Sequence, residues 1–204
     1  MYDISYFKAK DHQEVIDFMQ ANPFVTICGV DVNGFPVATQ VPVLIKIIND
    51  QLVISGHVMR KQDHTIAFEM NKNVLVLFTG PSAFVSGSWY TDKTMGSTWN
   101  YQSVHAKGKL EIKDSAHLLS LLTALTAHFE EDPNASSQVK NLSAAYMEQN
   151  MKAIYSFDIV VENLQHVFKL SQNRDDVSHE NIKAELSKGT PACKHMAAAM
   201  TRKK

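Results

Sequence analysis

The sequence lacks the motifs on which several protein classes depend. Its only cysteines are Cys28 and Cys193, too few and too far apart for a disulfide framework or a structural zinc site, and we expect both to be free thiols. No G-x-G-x-x-G, G-x-x-x-x-G-K-[ST], G-x-S-x-G or H-E-x-x-H pattern occurs. Neither a glycine-rich phosphate loop, nor a serine-hydrolase elbow, nor a metalloprotease helix is therefore predicted, and the nine dispersed histidines predict no metal site.

An excess of one charge and long apolar runs are also missing. With 20 Lys and Arg against 21 Asp and Glu, the net charge of −1 gives no general attraction to nucleic acid or anionic lipid. No apolar run approaches the roughly 20 residues that a membrane helix needs. The acidic residues Asp3, Asp11, Glu14 and Asp17 are unlike the start of a secretory signal. We predict a cytoplasmic protein.

Seven segments carry the β-branched or alternating pattern of strands. Asn33-Gly34 and Asn49-Asp50 fall between the first three of them, where tight hairpin turns are expected. Because hairpins connect most strands and helices are inserted singly, the sequence predicts an antiparallel, closed or partly closed barrel with peripheral helices. The strand segments are FVTICGV, PVATQVPVLIKII, QLVISGHV, NVLVLFTG, AFVSGSWY, TWNYQSVHAKGKLEI and IYSFDIVVENLQHVFKL.

Helical spacing and capping residues mark the remaining segments. Helices are predicted after Asp11, over RKQDHTIAFEM, after Asp114, and roughly over 138–150. Two more are predicted in the tail, joined at Gly189, with Pro191 in the first turn of the second. The length of 204 residues suits one core. We predict one domain over residues 1–174 and a helical tail over 175–204 that packs on the barrel.

The segment from Gly80 to Gly108 holds both tryptophans and many small polar side chains. Aromatic rings supply stacking surface, and hydroxyl and amide groups such as Thr98 and Asn100 can orient the polar edge of a flat ligand. The alternative is a hairpin whose aromatic residues simply pack in the core. The aromatic residues concerned are Trp89, Tyr90, Trp99 and Tyr101.

A cluster of basic residues closes the third strand segment just before a predicted helix. His57, Arg60 and Lys61 could hold a phosphate there, because a helix start offers free N–H groups and arginine offers a bidentate fork. The alternative is an ordinary solvated loop. A phosphate-binding site next to a stacking surface would suit both the phosphate and the flat ring of flavin mononucleotide, FMN. A second cluster over 169–174 closes the last strand segment and could complete a site or merely cap the tail; it contains Lys169, Ser171 and Gln172.

Six motifs in order give the chain a resemblance to a known family: NPF, VATQVPVLI, SGHVMRK, FTGPSAFVSGSWY, TWNYQSVHAKG and KLSQNR. The chain resembles the PaiB-like proteins, described as FMN-binding negative transcriptional regulators. The resemblance implies a split β-barrel of the pyridoxamine-phosphate-oxidase-like kind and a homodimer with flavin at the subunit interface. Where the family has prolines, this chain has Gly87 and Gly96-Ser97, and its GHVMRKQDHT lacks the family's Ala, Pro and Trp. We therefore expect a more flexible loop and weaker flavin binding.

Three functions remain open at this stage. In an FMN-binding homodimer, the four aromatic residues would pack on or near the flavin, Thr98 and Asn100 would address its edge, and Arg60 with Lys61 would neutralise its phosphate. Oxidoreductase activity would rest on the resemblance alone, because the sequence identifies no catalytic residue. A transcriptional regulator would use the two tail helices, with their basic residues Lys194, Arg202, Lys203 and Lys204, on DNA. A haem-binding module would need His57 or His105 as the iron ligand.

Overall fold

The computed structural model describes residues 1–200, which divide into two compact units. Unit 1 contains residues 1–22, 78–104 and the chain from 165 onwards, and unit 2 contains residues 23–77 and 105–164. The last four residues, 201–204, lie outside the described part of the chain, and so do the predicted DNA contacts of Arg202, Lys203 and Lys204.

Six strands form one antiparallel sheet in the order β1-β2-β3-β6-β5-β4, which closes into a barrel. In unit 2, β1 pairs with β2 on one side and with β4 on the other, and β3 pairs with both β2 and β6. The predicted fold class is thereby confirmed. The strands are β1 (Phe24–Val30), β2 (Pro36–Ile48), β3 (Gln51–Met59), β4 (Asn73–Val85), β5 (Thr98–Ile112) and β6 (Ile154–Lys169).

The two predicted hairpin turns are both present. Gly34 takes φ +84, the left-handed conformation that a glycine adopts without strain. Asn49 and Asp50 take φ 49 and 60, as the two central residues of a tight hairpin require. The register that follows pairs Val30 with Pro36 and Ile48 with Gln51.

One strand prediction is wrong. NVLVLFTG and AFVSGSWY are not two strands, because β4 runs continuously through Gly80 and Pro81 to Val85. The chain then leaves the sheet in a 3₁₀ turn, Gly87–Trp89, whose start is capped by the Ser86 side chain. The segment that carries the first tryptophan is therefore a turn and not a strand.

Six α-helices complete the described chain. Asp11, Asp114 and Thr190 cap helix starts with their side chains, as the sequence predicts for the first two. The helix predicted roughly over 138–150 is present but begins later: a 3₁₀ turn, Val139–Asn141, comes first, and Ser143 then caps the helix. The helices are α1 (His12–Ala21), α2 (Asp63–Met70), α3 (Ser115–Phe129), α4 (Ala144–Met151), α5 (Asp176–Ser187) and α6 (Pro191–Ala199).

Each unit has its own apolar interior. In unit 2 the barrel encloses Ile27, Ile54, Val76, Phe157 and Ile159, all fully buried. In unit 1 the interior contains Met19, Phe78, Phe168, Leu186 and Met196. Cys28 and Cys193 are both free thiols, as predicted. Among residues 1–200, no helix combines the length and the apolar character that crossing a bilayer would take.

Candidate functional site

Arg60 is held in a fixed position at the end of β3 in unit 2. Its Nε donates to the Ile154 carbonyl oxygen at 3.0 Å, and its guanidinium carbon lies 3.8 Å from the centre of the Tyr155 ring. Its backbone N–H donates to Ala153 O at 2.9 Å. Within residues 1–200, these contacts leave the two terminal guanidinium nitrogens without a hydrogen-bond partner. A guanidinium fixed in this way loses little side-chain entropy when it binds an anion.

A cavity of about 250 Å³ opens beside Arg60. Its other walls include Tyr155, Lys113 and the first turn of α3, with Ser115 and Leu118. Asp114 also lines it, but the carboxylate of this residue caps α3 by accepting from His117 N at 2.9 Å. Guanidinium N–H groups, an ammonium and the start of a 15-residue helix are donors suited to a phosphate. The residues present therefore fit the phosphate group of FMN.

The positive charge of Lys113 is partly neutralised by carboxylates. Its Nζ lies 3.2 Å from Glu111 Oε2 and 3.7 Å from Asp158 Oδ2. Asp158 also accepts from Ser55 Oγ at 2.6 Å and lies 3.2 Å from His117 Nε2. Arg60 is therefore the cation of this cavity that has no carboxylate partner among residues 1–200.

The neighbouring predicted residues of unit 2 have different surroundings. Lys61 is exposed, in a left-handed backbone conformation with φ 60. His57 is half-buried, its Nδ1 has no partner within residues 1–200, and burial lowers its pKa. The sequence placed the phosphate at the start of α2, where the Asp63 carboxylate accepts from His64 N at 2.7 Å. The cavity instead opens at the start of α3.

The predicted residues of the second cluster lie together in unit 1. Lys169 Nζ donates to Thr98 Oγ1 and, at 2.7 Å, to the Trp99 carbonyl oxygen. Ser171 Oγ donates to Asn100 Oδ1 at 3.0 Å. The Gln172 side chain closes its own turn by accepting from Leu170 N at 2.7 Å and donating to Phe168 O. Lys169 and Ser171 of the second cluster therefore contact the start of β5 within unit 1.

The four aromatic residues differ widely in exposure. Trp99 is 53 % exposed and forms an edge-on pair with the half-exposed Phe84, with ring centres 5.9 Å apart. Trp89 is half-buried, and so is Tyr101, whose pKa burial raises. Tyr90 is only 1 % exposed, with the Arg174 guanidinium 4.3 Å above its ring.

Two residues that the sequence assigns to the flavin are not accessible to a ligand in unit 1. Tyr90 and Asn100 are buried inside unit 1, and Asn100 Nδ2 contacts Met200 Sδ at 3.6 Å. A bound ring could reach neither without rearranging unit 1. Trp99 is the aromatic residue of the set that presents a large free surface within residues 1–200.

Sequence reasoning missed Lys113 and Ser115 of the cavity. Asp114 gives a clear capping signal and correctly places the start of α3. Nothing local in the sequence, however, says that β6 brings Tyr155 and Ile154 against Arg60. That contact follows from the pairing of β3 with β6, in which Met59 lies opposite Ile154.

Solved structures define the class to which this fold belongs. The "FAD and Heme binding protein" of Mycobacterium smegmatis aligns with a TM-score of 0.60 at 20% identity, over 86% of this chain and 78% of that one. The flavocytochrome Anf3 of Azotobacter vinelandii aligns with a TM-score of 0.59 at 13% identity, over 82% of this chain and 72% of that one. At such low identity these likenesses establish the fold, a split β-barrel with peripheral helices.

Sequence comparison gives the family. The family model described as "Putative FMN-binding domain" matches residues 1–163. A relative in Bacillus subtilis, "Protease synthase and sporulation protein PAI 2", is 34% identical over 98% of this chain and 96% of its own length. The chain belongs to this FMN-binding family, and the PaiB-like resemblance is confirmed.

Proposed function

We propose that this chain binds FMN with its phosphate in the cavity beside Arg60. The observation that carries the proposal is the fixed guanidinium of Arg60, a residue that lines a cavity of about 250 Å³ together with Lys113 and the first turn of α3. A phosphate there would replace water on donors that are already in place, so little ordering is required. Lys61, exposed one residue further on, adds a second positive charge nearby.

The flavin ring needs apolar contact on its faces, and Trp99 offers it. Its 53 % exposed indole and the half-exposed Phe84 ring together form an aromatic surface on unit 1. We propose that this surface meets a second copy of the chain and that the flavin lies at the interface of a homodimer. Bound flavin supplies one- or two-electron redox chemistry; the chain's own part is to bind and orient it.

Titration with FMN tests this proposal. Arg60→Gln removes the charge but keeps an amide, and loss of charge-assisted hydrogen bonds to phosphate weakens binding by about tenfold or more. Lys46→Gln is the matched control, because Lys46 is exposed on β2 and the change removes the same charge from unit 2. Quenching of flavin fluorescence gives the dissociation constants. Equal affinities of Arg60→Gln and Lys46→Gln for FMN would show that Arg60 does not bind the phosphate. Failure of the wild type to bind FMN would refute the proposed function.

A second candidate is a flavin-linked regulator that acts on DNA. It is favoured by the 34% identity to the Bacillus subtilis relative across nearly the whole of both chains, together with the regulator role that the PaiB-like resemblance implies. The balanced charge of the chain predicts weak binding to DNA. Gel retention of the full chain on DNA from its own upstream region, with and without FMN, tests it. If unrelated competitor DNA abolished the gel shift as effectively as unlabelled upstream DNA did, this result would contradict specific recognition.

A further inference from the structure

The turn over 169–174 brings two cations together at the end of β6 in unit 1. Ser171 takes φ 61, and Arg174 N donates back to Ser171 O at 3.0 Å, so the chain reverses tightly. The Gln172 side chain holds the preceding backbone, and Ser171 Oγ anchors the turn on Asn100. The positions of Lys169 and Arg174 are therefore fixed by backbone geometry and not by a charge partner.

Neither cation has a carboxylate partner within residues 1–200. Lys169 Nζ donates to two neutral oxygens, those of the Thr98 hydroxyl and the Trp99 carbonyl. The Arg174 guanidinium lies over the Tyr90 ring, with Nη1 3.2 Å from Met95 Sδ. Burial lowers the pKa of Lys169, and the positive charge of Arg174 lowers it further.

The neighbouring charged groups are occupied elsewhere. Asp175 accepts from Ser178 N at 2.9 Å and from Thr91 Oγ1 at 3.1 Å. Asp92 accepts from both the backbone and the hydroxyl of Thr94. Lys93 adds a third positive charge, with its Nζ on the Ser88 and Tyr90 carbonyl oxygens. Two like charges held together without compensation cost energy unless an anion binds between them.

We propose that Lys169 and Arg174 form an anion-binding site in unit 1, which takes the carboxylate or phosphate group of a small molecule other than FMN. Phe7, whose ring centre lies 5.9 Å from Lys169 Nζ, and the Tyr90 ring make the surroundings apolar. An apolar environment strengthens the attraction between the cations and a bound anion. The site does not depend on the phosphate seat at Arg60, and the two can fail separately.

Titration of the full chain with benzoate and, separately, with phenyl phosphate tests this site and distinguishes the two acidic groups. Lys169→Gln and Arg174→Gln each remove one charge-assisted contact, so the affinity for the preferred probe should fall about tenfold or more. Lys188→Gln is the control, because Lys188 is an exposed residue of unit 1 that pairs with Glu185; it should change the affinity less than about twofold. Arg174→Lys keeps the charge and should restore part of the binding. Calorimetry gives the affinities, and circular dichroism shows that each variant is folded.

Affinity for FMN, measured on the same variants, separates this inference from the proposed function. We expect Lys169→Gln and Arg174→Gln to leave FMN binding unchanged, and Arg60→Gln to weaken FMN binding without affecting the preferred probe. Loss of FMN binding in the Lys169 and Arg174 variants would overturn the inference, because these cations would then hold the flavin phosphate. The inference would also be overturned if the wild type bound neither benzoate nor phenyl phosphate. An equal loss of affinity for the preferred probe in Lys188→Gln would overturn it as well.

Discussion

At the scale of single residues, Gly87 shows how one missing side chain shapes the segment around the aromatic residues. A Cβ at this position would overlap the Met95 carbonyl oxygen and crowd Gly96. The loop over 91–97 can lie this close only because residue 87 has no side chain, and Ser97 Oγ accepts from Gly87 N at 3.0 Å. The family pattern that the chain resembles has proline at 87 and Val-Pro at 96–97. The differences from the family pattern at 87 and at 96–97 are therefore linked, because together they permit the close contact between Gly87 and the loop over 91–97.

This contact predicts opposite effects for two glycine substitutions. Gly87→Ala should reduce the free energy of unfolding by about 1–3 kcal/mol, because backbone must move to admit the methyl group. Gly96→Ala is the control: a Cβ there meets nothing within 4 Å, and loss of glycine's freedom in the unfolded chain should leave stability unchanged or raise it by about 0.4–1 kcal/mol. Urea unfolding measures both. Equal stabilities of the two variants would contradict the packing of this loop.

The burial of individual residues was the least predictable part of the site. Strand alternation cannot tell whether Asn100 faces a ligand or the interior; it is buried because Ser171, 71 residues further on, packs against it. Tyr90 is buried because Arg174 covers it. Arg60 and Lys169 could be picked out from the sequence because each closes a strand, where charged side chains gather.

At the scale of elements, the start of α5 holds the loop that follows the 3₁₀ turn. Asp175 caps α5 and accepts from the Thr91 hydroxyl, while Thr91 N donates to Ser178 Oγ at 2.8 Å. Asn181 Nδ2 donates to the Trp89 carbonyl oxygen at 3.2 Å. The tail therefore supports the aromatic segment within unit 1, which is a structural role that its sequence alone did not indicate. The boundary predicted at residue 174 stays a prediction.

The cap makes the stability of α5 dependent on pH. Hydrogen bonds from Ser178, and then from Thr91, lower the pKa of Asp175 from 3.8 to about 2. A lowered folded-state pKa stabilises the fold above the unfolded-state pKa, and the contribution is lost as the pH falls from about 4 towards about 2. Asp175→Asn keeps the cap but not the charge, so it should be less stable than the wild type near neutral pH, and the difference should shrink over that acid interval.

Urea unfolding at a series of pH values measures this difference. Glu69→Gln serves as the comparison, because Glu69 is an exposed carboxylate of α2, and its effect should be small throughout. A difference between wild type and Asp175→Asn that stayed constant from neutral to acid pH would show that the ionised cap contributes nothing.

Most elements could be predicted from the sequence because they carry strong local signals. Turn residues fixed the hairpins, and capping aspartates fixed the starts of α1 and α3. The break assigned at Gly80-Pro81 was wrong, since both residues lie inside β4. Proline removes one donor from a strand but leaves its extended conformation intact, so it is tolerated where the missing N–H is not needed. Glycine and proline as local strand breakers could therefore not reveal that β4 is continuous.

At the scale of the whole molecule, the chain combines the family fold with a nearly balanced charge. A closed or partly closed barrel could be inferred from hairpin spacing, and the family from ordered motifs. The cavity beside Arg60 could not, because Lys113 and Tyr155 reach it through pairing between strands distant in sequence. The net charge of −1 likewise conceals local cations, such as Arg60, that have no carboxylate partner among the described residues 1–200. The sequence alone cannot separate such cations from paired ones.

The most direct measurement is a crystal structure of the full chain with FMN bound. We predict phosphate density within hydrogen-bond distance of the Arg60 terminal nitrogens and of the first turn of α3, with Trp99 of one copy at the interface between two copies of the chain. Phosphate density on Lys169 and Arg174, or flavin bound to a monomer away from Arg60, would contradict the account.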